Sequence, residues 1–254
     1  MKTNHVREKL KAGNPAIGCF LGLGSPSVAE LMAHAGFDWL VIETEHNGLD
    51  SAEIEHMLRA IDGTDAVPIV RVPSSDQVFI QRALDMGAMG VLVPMVRSAE
   101  EARAVVSATR YPPEGTRSWG PLRASGYTFD NDDYFERANE NMLVALILET
   151  KDALDDLETV AGVPGVDVIF LGPWDMSLAL GLDPRQLPLP EIDNVLDRIV
   201  EVASKTGVAA GVGAGTPEGL REQQAAGVTF LSYGPDYGLL VQAARAGLEA
   251  LDRR

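Results

Sequence analysis

Short apolar runs alternate with segments of helical spacing along nearly the whole chain. The apolar runs predict eight strands, at residues 16–23, 37–42, 67–72, 90–94, 142–148, 166–171, 208–212 and 229–233. Apolar residues three and four positions apart predict helices between and after them, at residues 28–35, 52–61, 77–86, 99–109, 154–161, 192–205, 217–226 and 235–251. Continuously apolar strands are typical of parallel strands that are covered on both faces. The pattern therefore predicts an α/β protein, a closed (β/α)8 barrel in one domain spanning residues 1–254.

Two segments test this interpretation. An open, doubly wound sheet would place a glycine-rich phosphate loop after an early strand, but Gly22-Leu23-Gly24 lacks the third glycine. Residues 111–140 break the alternation and contain prolines, glycines and aromatic residues. Loops of this length are usually functional or disordered, so we expect an ordered lid or a subunit contact here, with a plain surface excursion as the alternative.

The charge and cysteine content exclude several classes of protein. Lys and Arg number 21 and Asp and Glu 37, which gives a net charge of −16. Phosphate binding needs a basic surface, so neither nucleic acid nor an anionic membrane is an expected partner. Cys19 is the only cysteine, so no intrachain disulfide can form. Together with the polar N-terminus and the lack of a long apolar run, this predicts a cytoplasmic protein.

Polar side chains appear where the predicted strands end. Glu43 and His46 follow the second strand, Arg71 ends the third, Glu149 follows the fifth, and residues 172–175 follow the sixth. Barrel enzymes build their sites at the carboxyl ends of the strands. The pattern therefore predicts one shared site, and a solvated rim is the alternative.

The residue types suggest a chemistry for this site. Glu149 and Asp175 are carboxylates on adjacent strands and suit Mg²⁺ or Mn²⁺, although a salt bridge and a helix cap would also explain them. His46 is the only histidine that follows a strand and is a candidate general base. Arg71 is a fixed cation that can offset the charge of an enolate or carboxylate oxygen, or form a rim salt bridge. The helix start after Gly172 offers backbone N–H groups to a substrate carboxylate.

Several segments carry a resemblance to a known family: residues 33–39, Glu45-His46, residues 91–96, residues 108–117, Glu149-Thr150 and residues 172–177. On these segments the chain resembles the class II, metal-dependent pyruvate aldolases of the HpcH/HpaI family. The resemblance implies a TIM barrel of the phosphoenolpyruvate/pyruvate type with an N-terminal helix, assembled as a homohexamer. It implies an aldehyde-lyase that reversibly cleaves a 4-hydroxy-2-oxo acid to pyruvate, or an analogue, and an aldehyde through a metal-bound enolate. The implied cofactor is Mg²⁺, Mn²⁺ or Co²⁺.

The resemblance also implies a role for individual residues. Glu149 and Asp175 match the metal ligands, His46 the general base and Arg71 the residue that stabilises the enolate. Gly172, Pro173, Trp174 and Asp175 match the segment that holds the pyruvate carboxylate. Asp85 matches an acidic residue that raises the basicity of the histidine, and it can join the site only across a subunit contact.

Three features depart from the best-known members of the family. Glu43 stands where the family has Asp, so the carboxylate that supports His46 is one methylene longer. Ile147 replaces a glutamine that touches the substrate, and a site without that amide should favour a different or less polar substrate. Arg123, in the long loop, is expected to contact a carboxylate of the acceptor. Two alternatives stay open: another enolate reaction such as oxaloacetate decarboxylation, and a non-catalytic barrel that binds a 2-oxo acid.

Overall fold

The structure is a computed structural model that describes residues 1–253. Its strands are β1 (Ala16–Leu21), β2 (Trp39–Glu43), β3 (Val67–Arg71), β4 (Gly90–Val93), β5 (Leu143–Leu148), β6 (Val168–Leu171), β7 (Ala209–Ala214) and β8 (Phe230–Pro235). Within the described range these eight strands are all parallel and pair in chain order, and β8 pairs with β1 to close the barrel. The predicted fold class is confirmed.

Helices surround the barrel and run back from the carboxyl end of one strand to the amino end of the next. They are α1 (His5–Lys11), α2 (Pro26–His34), α3 (Ser51–Asp62), α4 (Gln77–Asp85), α5 (Ala99–Thr109), α6 (Asn131–Asn141), α7 (Lys151–Asp155), α8 (Leu157–Ala161), α9 (Pro173–Ala179), α10 (Pro190–Thr206), α11 (Pro217–Ala225) and α12 (Asp236–Glu249). A short 3₁₀ helix covers Pro184–Gln186. Among the described residues, no helix combines the length and the apolar character needed to cross a membrane.

Alternating residues of each strand supply two separate apolar cores. Trp39 and Val41 of β2 point into the barrel, whereas Leu40 and Ile42 pack outward against the helices. Inside, the Trp39 ring stacks on Phe230 of β8 with a centroid distance of 4.1 Å. The barrel interior is therefore a packed aromatic and aliphatic core, which leaves the chemistry to its ends.

The N-terminal helix closes the amino end of the barrel, as the family resemblance implied. Val6 and Leu10 of α1 are buried against the interior core. The Asn4 side chain accepts from the backbone N–H of Arg7 and donates to the carbonyls of Met89 and Asn141. These bonds attach the helix cap to the loops before β4 and β5.

The structure differs from the predicted pattern in two places. The segment 111–140, expected to be a loop, ends in the helix α6, whose Tyr134, Ala138 and Asn141 are buried. The spacing of apolar residues did not predict this helix, because the helix is highly polar and buries only a narrow stripe of its surface. The helix predicted at 154–161 consists of α7 and α8, which meet at Asp156.

We expect Gly18→Ala to destabilise the barrel. A Cβ at Gly18 would lie 1.9 Å from Cδ2 of Trp39, so the ring would have to leave its stack on Phe230. Overpacking of this kind should lower the free energy of unfolding by about 2 kcal/mol or more, measured by urea denaturation. Gly48→Ala is the matched control, because nothing lies within 4 Å of its added Cβ. An unchanged stability of Gly18→Ala would contradict this packing.

Candidate active site

The polar residues predicted to share a site do meet at the carboxyl end of the barrel. A cavity of about 550 Å³ opens there, and Glu43, His46, Arg71, Pro173 and Trp174 are among the residues that line it. Its remaining wall is largely apolar and comes from Phe20, Phe170, Pro235 and Tyr237 together with residues 213–215. The arrangement combines a charged floor with a largely apolar wall, as small-molecule sites commonly do.

Arg71 lies at the centre of the charged floor. Its guanidinium forms ion pairs with Glu43, at 3.1 Å, and with Glu45, and its Nη2 is 3.9 Å from Oε2 of Glu149. The Arg71 side chain is only 13% exposed. Three carboxylates therefore converge on one buried cation, and negative charge is in excess around it.

Glu43 orders the turn after β2. Its Oε1 accepts hydrogen bonds from the backbone N–H groups of Glu45 and His46, at 2.7 and 3.2 Å. Its Oε2 accepts from Nη1 of Arg71. Both oxygens of Glu43 therefore bind groups other than the imidazole, so Glu43 positions the backbone of His46 rather than its ring.

Glu45 is the carboxylate that faces the imidazole. Its Oε2 lies 3.3 Å from Nε2 of His46, and the same oxygen pairs with Arg71. Burial raises the pKa of Glu45, and the nearby Glu43 and Asp175 raise it further, while Arg71 and His46 oppose this. Sequence reasoning did not include Glu45 in the site, although an acidic residue directly before the candidate base was a visible signal.

His46 itself is accessible. Its side chain is 62% exposed and it lines the cavity. The ring can therefore reach a bound molecule while the Glu45 carboxylate lies beside its Nε2. This is the arrangement that a general base requires.

Glu149 is a buried carboxylate directly after β5. Its Oε1 accepts a 2.6 Å hydrogen bond from the backbone N–H of Met95, a residue in the left-handed region with a φ of 56°. Burial raises the pKa of Glu149 to about 7, and Glu45 and Asp175 add to this rise, against the lowering effect of the Met95 amide and Arg71. Another cation beside Glu149 would favour its ionised form.

Asp175 stands in the first turn of α9, which starts after Gly172 with Pro173 at its first position. The side chain is exposed, and within residues 1–253 it makes no hydrogen bond or ion pair. It is close enough to raise the pKa values of Glu149 and Glu45. Its carboxylate is thus available to a ligand at the site.

Gly172 allows α9 to approach Glu149. A Cβ at this position would meet Oε2 of Glu149 at 2.9 Å and the side chain of Ile147 at 3.0 Å. Ile147 belongs to the barrel interior and packs with the apolar core there. The absence of a side chain at Gly172 therefore sets the distance between the end of β5 and the start of α9.

The chemistry of this donor set suits a hard divalent cation. Glu149 and Asp175 offer carboxylate oxygens, which Mg²⁺ and Mn²⁺ prefer. In the described part of the chain, no group of three or more His, Cys, Asp or Glu side chains is arranged to hold a metal ion. Two protein carboxylates would therefore leave coordination positions to water and to a chelating substrate.

Two predicted site residues lie elsewhere in this chain. Asp85 ends α4 and Arg123 follows α5, and both line a separate cavity of about 390 Å³. Asp85 accepts from Arg117 at 2.7 Å, while Arg123 donates to the Met86 carbonyl and to Asp62. Helix C-termini lie at the amino ends of the strands, so one chain cannot bring these side chains to His46.

Comparison with known proteins agrees with the fold. Residues 16–243 match the sequence profile of HpcH/HpaI aldolase/citrate lyase. The chain is 39% identical over 249 residues to 2-dehydro-3,6-dideoxy-6-sulfogluconate aldolase of Pseudomonas putida, with 96% of each chain covered. It is 36% identical over 256 residues to hydroxypyruvate/pyruvate aldolase of Paraburkholderia phytofirmans, with 97% of each covered.

A solved structure extends this similarity to three dimensions. The crystal structure of an HpcH/HpaI aldolase/citrate lyase family protein from Burkholderia cenocepacia superposes with a TM-score of 0.92 at 34% identity. The match covers 98% of this chain and all of the other. The chain therefore belongs to the HpcH/HpaI aldolase/citrate lyase family.

Proposed function

We propose that this chain is a metal-dependent pyruvate aldolase. It cleaves a 4-hydroxy-2-oxo acid reversibly to pyruvate, or a close analogue, and an aldehyde. The observation that carries the proposal is the buried Glu149 carboxylate, with its pKa raised to about 7, near Asp175, whose carboxylate has no partner among residues 1–253. Two relatives in the same family are named for aldolase activity, one of them on hydroxypyruvate and pyruvate.

Glu149 and Asp175 would hold the divalent cation, Mg²⁺, Mn²⁺ or Co²⁺. When bound, the cation supplies a Lewis acid that polarises the 2-oxo group of the substrate. It also supplies the positive charge that the cluster of Glu43, Glu45 and Glu149 around Arg71 lacks. The backbone amides of Trp174 and Asp175, after Gly172 and Pro173, orient the substrate carboxylate.

Arg71 and His46 divide the chemistry between them. The His46 imidazole takes the proton of the 4-hydroxyl, the C3–C4 bond breaks, and its electron pair remains on the pyruvate fragment as an enolate. The Arg71 guanidinium offsets the charge on the enolate oxygen. The aldehyde leaves, and protonation at C3 yields pyruvate. Glu45 holds the imidazole ring in place, because its carboxylate faces Nε2 at 3.3 Å.

The apolar wall of the cavity would receive the aldehyde. Phe20, Phe170 and Trp174 line it, and Ile147 lies below it in the barrel interior. An aldehyde with few polar groups near the reacting carbon fits this lining best. Asp85 and Arg123 would reach the site only from another copy of the chain, which accords with the proposed homohexamer. The proposed location of the enzyme is the cytoplasm.

Loss of either metal ligand should abolish the reaction. Glu149→Gln and Asp175→Asn should each lower kcat/KM for a 4-hydroxy-2-oxo acid by about 10³ or more, because Lewis-acid stabilisation is worth several kcal/mol. Pyruvate release is measured with a coupled dehydrogenase. Asp193→Asn is the matched control, since Asp193 also follows a helix-starting proline, in the first turn of α10. Full wild-type activity in excess chelator would refute the proposal, and carbon dioxide release from oxaloacetate alone would favour the decarboxylase alternative.

Removal of the base should slow the cleavage step. His46→Gln should lower kcat by about 10²–10⁴, the usual contribution of a positioned general base. His34→Gln serves as the control, because His34 is an exposed residue at the end of α2. If the two variants cleave the substrate equally fast, His46 is not the base.

The metal-free protein should lose stability as the pH rises through neutrality. The folded-state pKa of Glu149, about 7, lies above the ordinary value of about 4.3 in an unfolded chain. This contribution is fully present below pH 4.3 and is lost as the pH rises through 7. In chelator, the unfolding free energy of wild type should therefore fall by about 2 kcal/mol more between pH 5 and pH 8 than that of Glu149→Gln. Added Mg²⁺ should reduce the difference, and parallel pH profiles in urea denaturation would contradict this account.

A further inference from the structure

A second large cavity lies at the amino end of the barrel, opposite the candidate active site. This basal cavity, of about 860 Å³, is bordered by α1, by the C-terminal ends of α5 and α6, and by Pro164–Gly165. Its lining includes four cationic side chains, from Arg7, Lys11, Arg110 and Arg137, and three acidic ones, from Glu8, Glu114 and Glu140. In a chain with a net charge of −16, a cavity at which cations outnumber carboxylates is a local feature that calls for a physical explanation.

Two of these cations are already paired within the chain. Arg7 forms an ion pair with Asp167 at 2.8 Å and donates to the Glu140 carbonyl. Arg137 donates to Oγ1 of Thr3 at 2.8 Å and to the Met1 carbonyl. These contacts attach α1 and the N-terminus to α6, so Arg7 and Arg137 are held in place at the rim of the cavity.

Arg110 is different because it is buried and unpaired. Its side chain lines the basal cavity although the residue is only 4% exposed. Within the described residues its guanidinium makes no hydrogen bond and no ion pair, and Nη1 is buried without a partner. The similarly buried Arg117, seven residues later, also has two nitrogens without a partner, but its Nη2 donates to Asp85 and to the hydroxyl of Tyr134.

The residues around Arg110 do not supply hydrogen-bond acceptors for its guanidinium. Burial lowers the pKa of Arg110 to about 10, and Arg7 and Arg117 add to this, against the opposing effect of Asp167 and Glu114. Arg110 directly follows α5, and its backbone N–H donates to the Ser107 carbonyl at that helix end, but its guanidinium donates to no carbonyl within residues 1–253. The nearest acidic neighbours are engaged elsewhere, because Asp167 binds Arg7 and Glu114 accepts from Asn139.

We propose that the basal cavity binds a small oxyanion, a phosphate or carboxylate group, through Arg110 and Lys11. A buried guanidinium without acceptors is costly, and a bidentate oxyanion supplies the acceptors that the chain does not. Lys11, in the last turn of α1, has no partner within residues 1–253 and can reach an anion from the open side. Arg110 also lies in the segment 108–117, whose role the active site leaves unexplained.

Calorimetric titration of the full chain with inorganic phosphate, and in parallel with malonate, tests the proposal. We expect saturable binding of at least one anion, weakened tenfold or more in Arg110→Gln and severalfold in Lys11→Gln. A tenfold change corresponds to the loss of one charge-assisted hydrogen bond. Arg103→Gln is the matched control, because Arg103 is an exposed arginine on the same helix, outside the cavity. The relative affinities of the two anions identify phosphate or carboxylate as the group recognised.

Further measurements separate this site from the active site and from a purely structural role of Arg110. Binding should persist in Glu149→Gln and in wild type saturated with pyruvate and Mg²⁺, whatever the fate of the aldolase proposal. The bound anion should raise the Tm of wild type but not of Arg110→Gln. No saturable binding, equal affinity in Arg110→Gln, or loss of binding in Glu149→Gln would each overturn the proposal. If Arg110→Gln does not fold, an unchanged affinity in Lys11→Gln would overturn it.

Discussion

The candidate site depends on one buried cation held by three carboxylates. Arg71 pairs with Glu43 and Glu45 and lies near Glu149, and these side chains are almost fully removed from solvent. Because a largely buried charge is costly without a partner of opposite sign, the cluster fixes the ends of β2, β3 and β5 relative to one another. Burial is the main cause of the raised pKa of Glu149, and the negative charges of Glu45 and Asp175 add to it, so that a further cation beside Glu149 would favour its ionised form.

The barrel makes this cluster possible through strand register. Glu43 and Arg71 are direct partners in the β2–β3 pair, so their side chains leave the sheet at the same level. The Arg71 carbonyl also accepts from the backbone N–H of Thr44, at 3.1 Å, which continues the pairing into the turn. The aromatic stack of Trp39 and Phe230 fills the interior below. Rigid packing beneath the site therefore holds charges that would repel one another in a flexible loop.

The two ends of the barrel differ in how their charges are satisfied. At the carboxyl end, carboxylates outnumber cations, and the proposed ligand set would hold a metal ion. At the amino end, the guanidinium of Arg110 is buried without an acceptor in the described part of the chain, while its neighbours Arg7 and Arg137 form hydrogen bonds within the chain. The closed barrel separates these regions, so each can meet a ligand of opposite charge.

The sequence alone determined the fold class and the set of strand ends that meet, because parallel strands of one barrel must share a carboxyl edge. That rule places Glu43, Arg71, Glu149 and Asp175 together without any knowledge of contacts. Only the tertiary structure decided which group each carboxylate contacts. Glu45 faces the imidazole of His46, and Glu43 accepts hydrogen bonds from the backbone of the turn after β2. Such assignments depend on side-chain direction within a turn, which spacing does not encode. The unpaired state of Arg110 is likewise a property of packing, since a sequence shows where an arginine stands but not whether an acceptor reaches it.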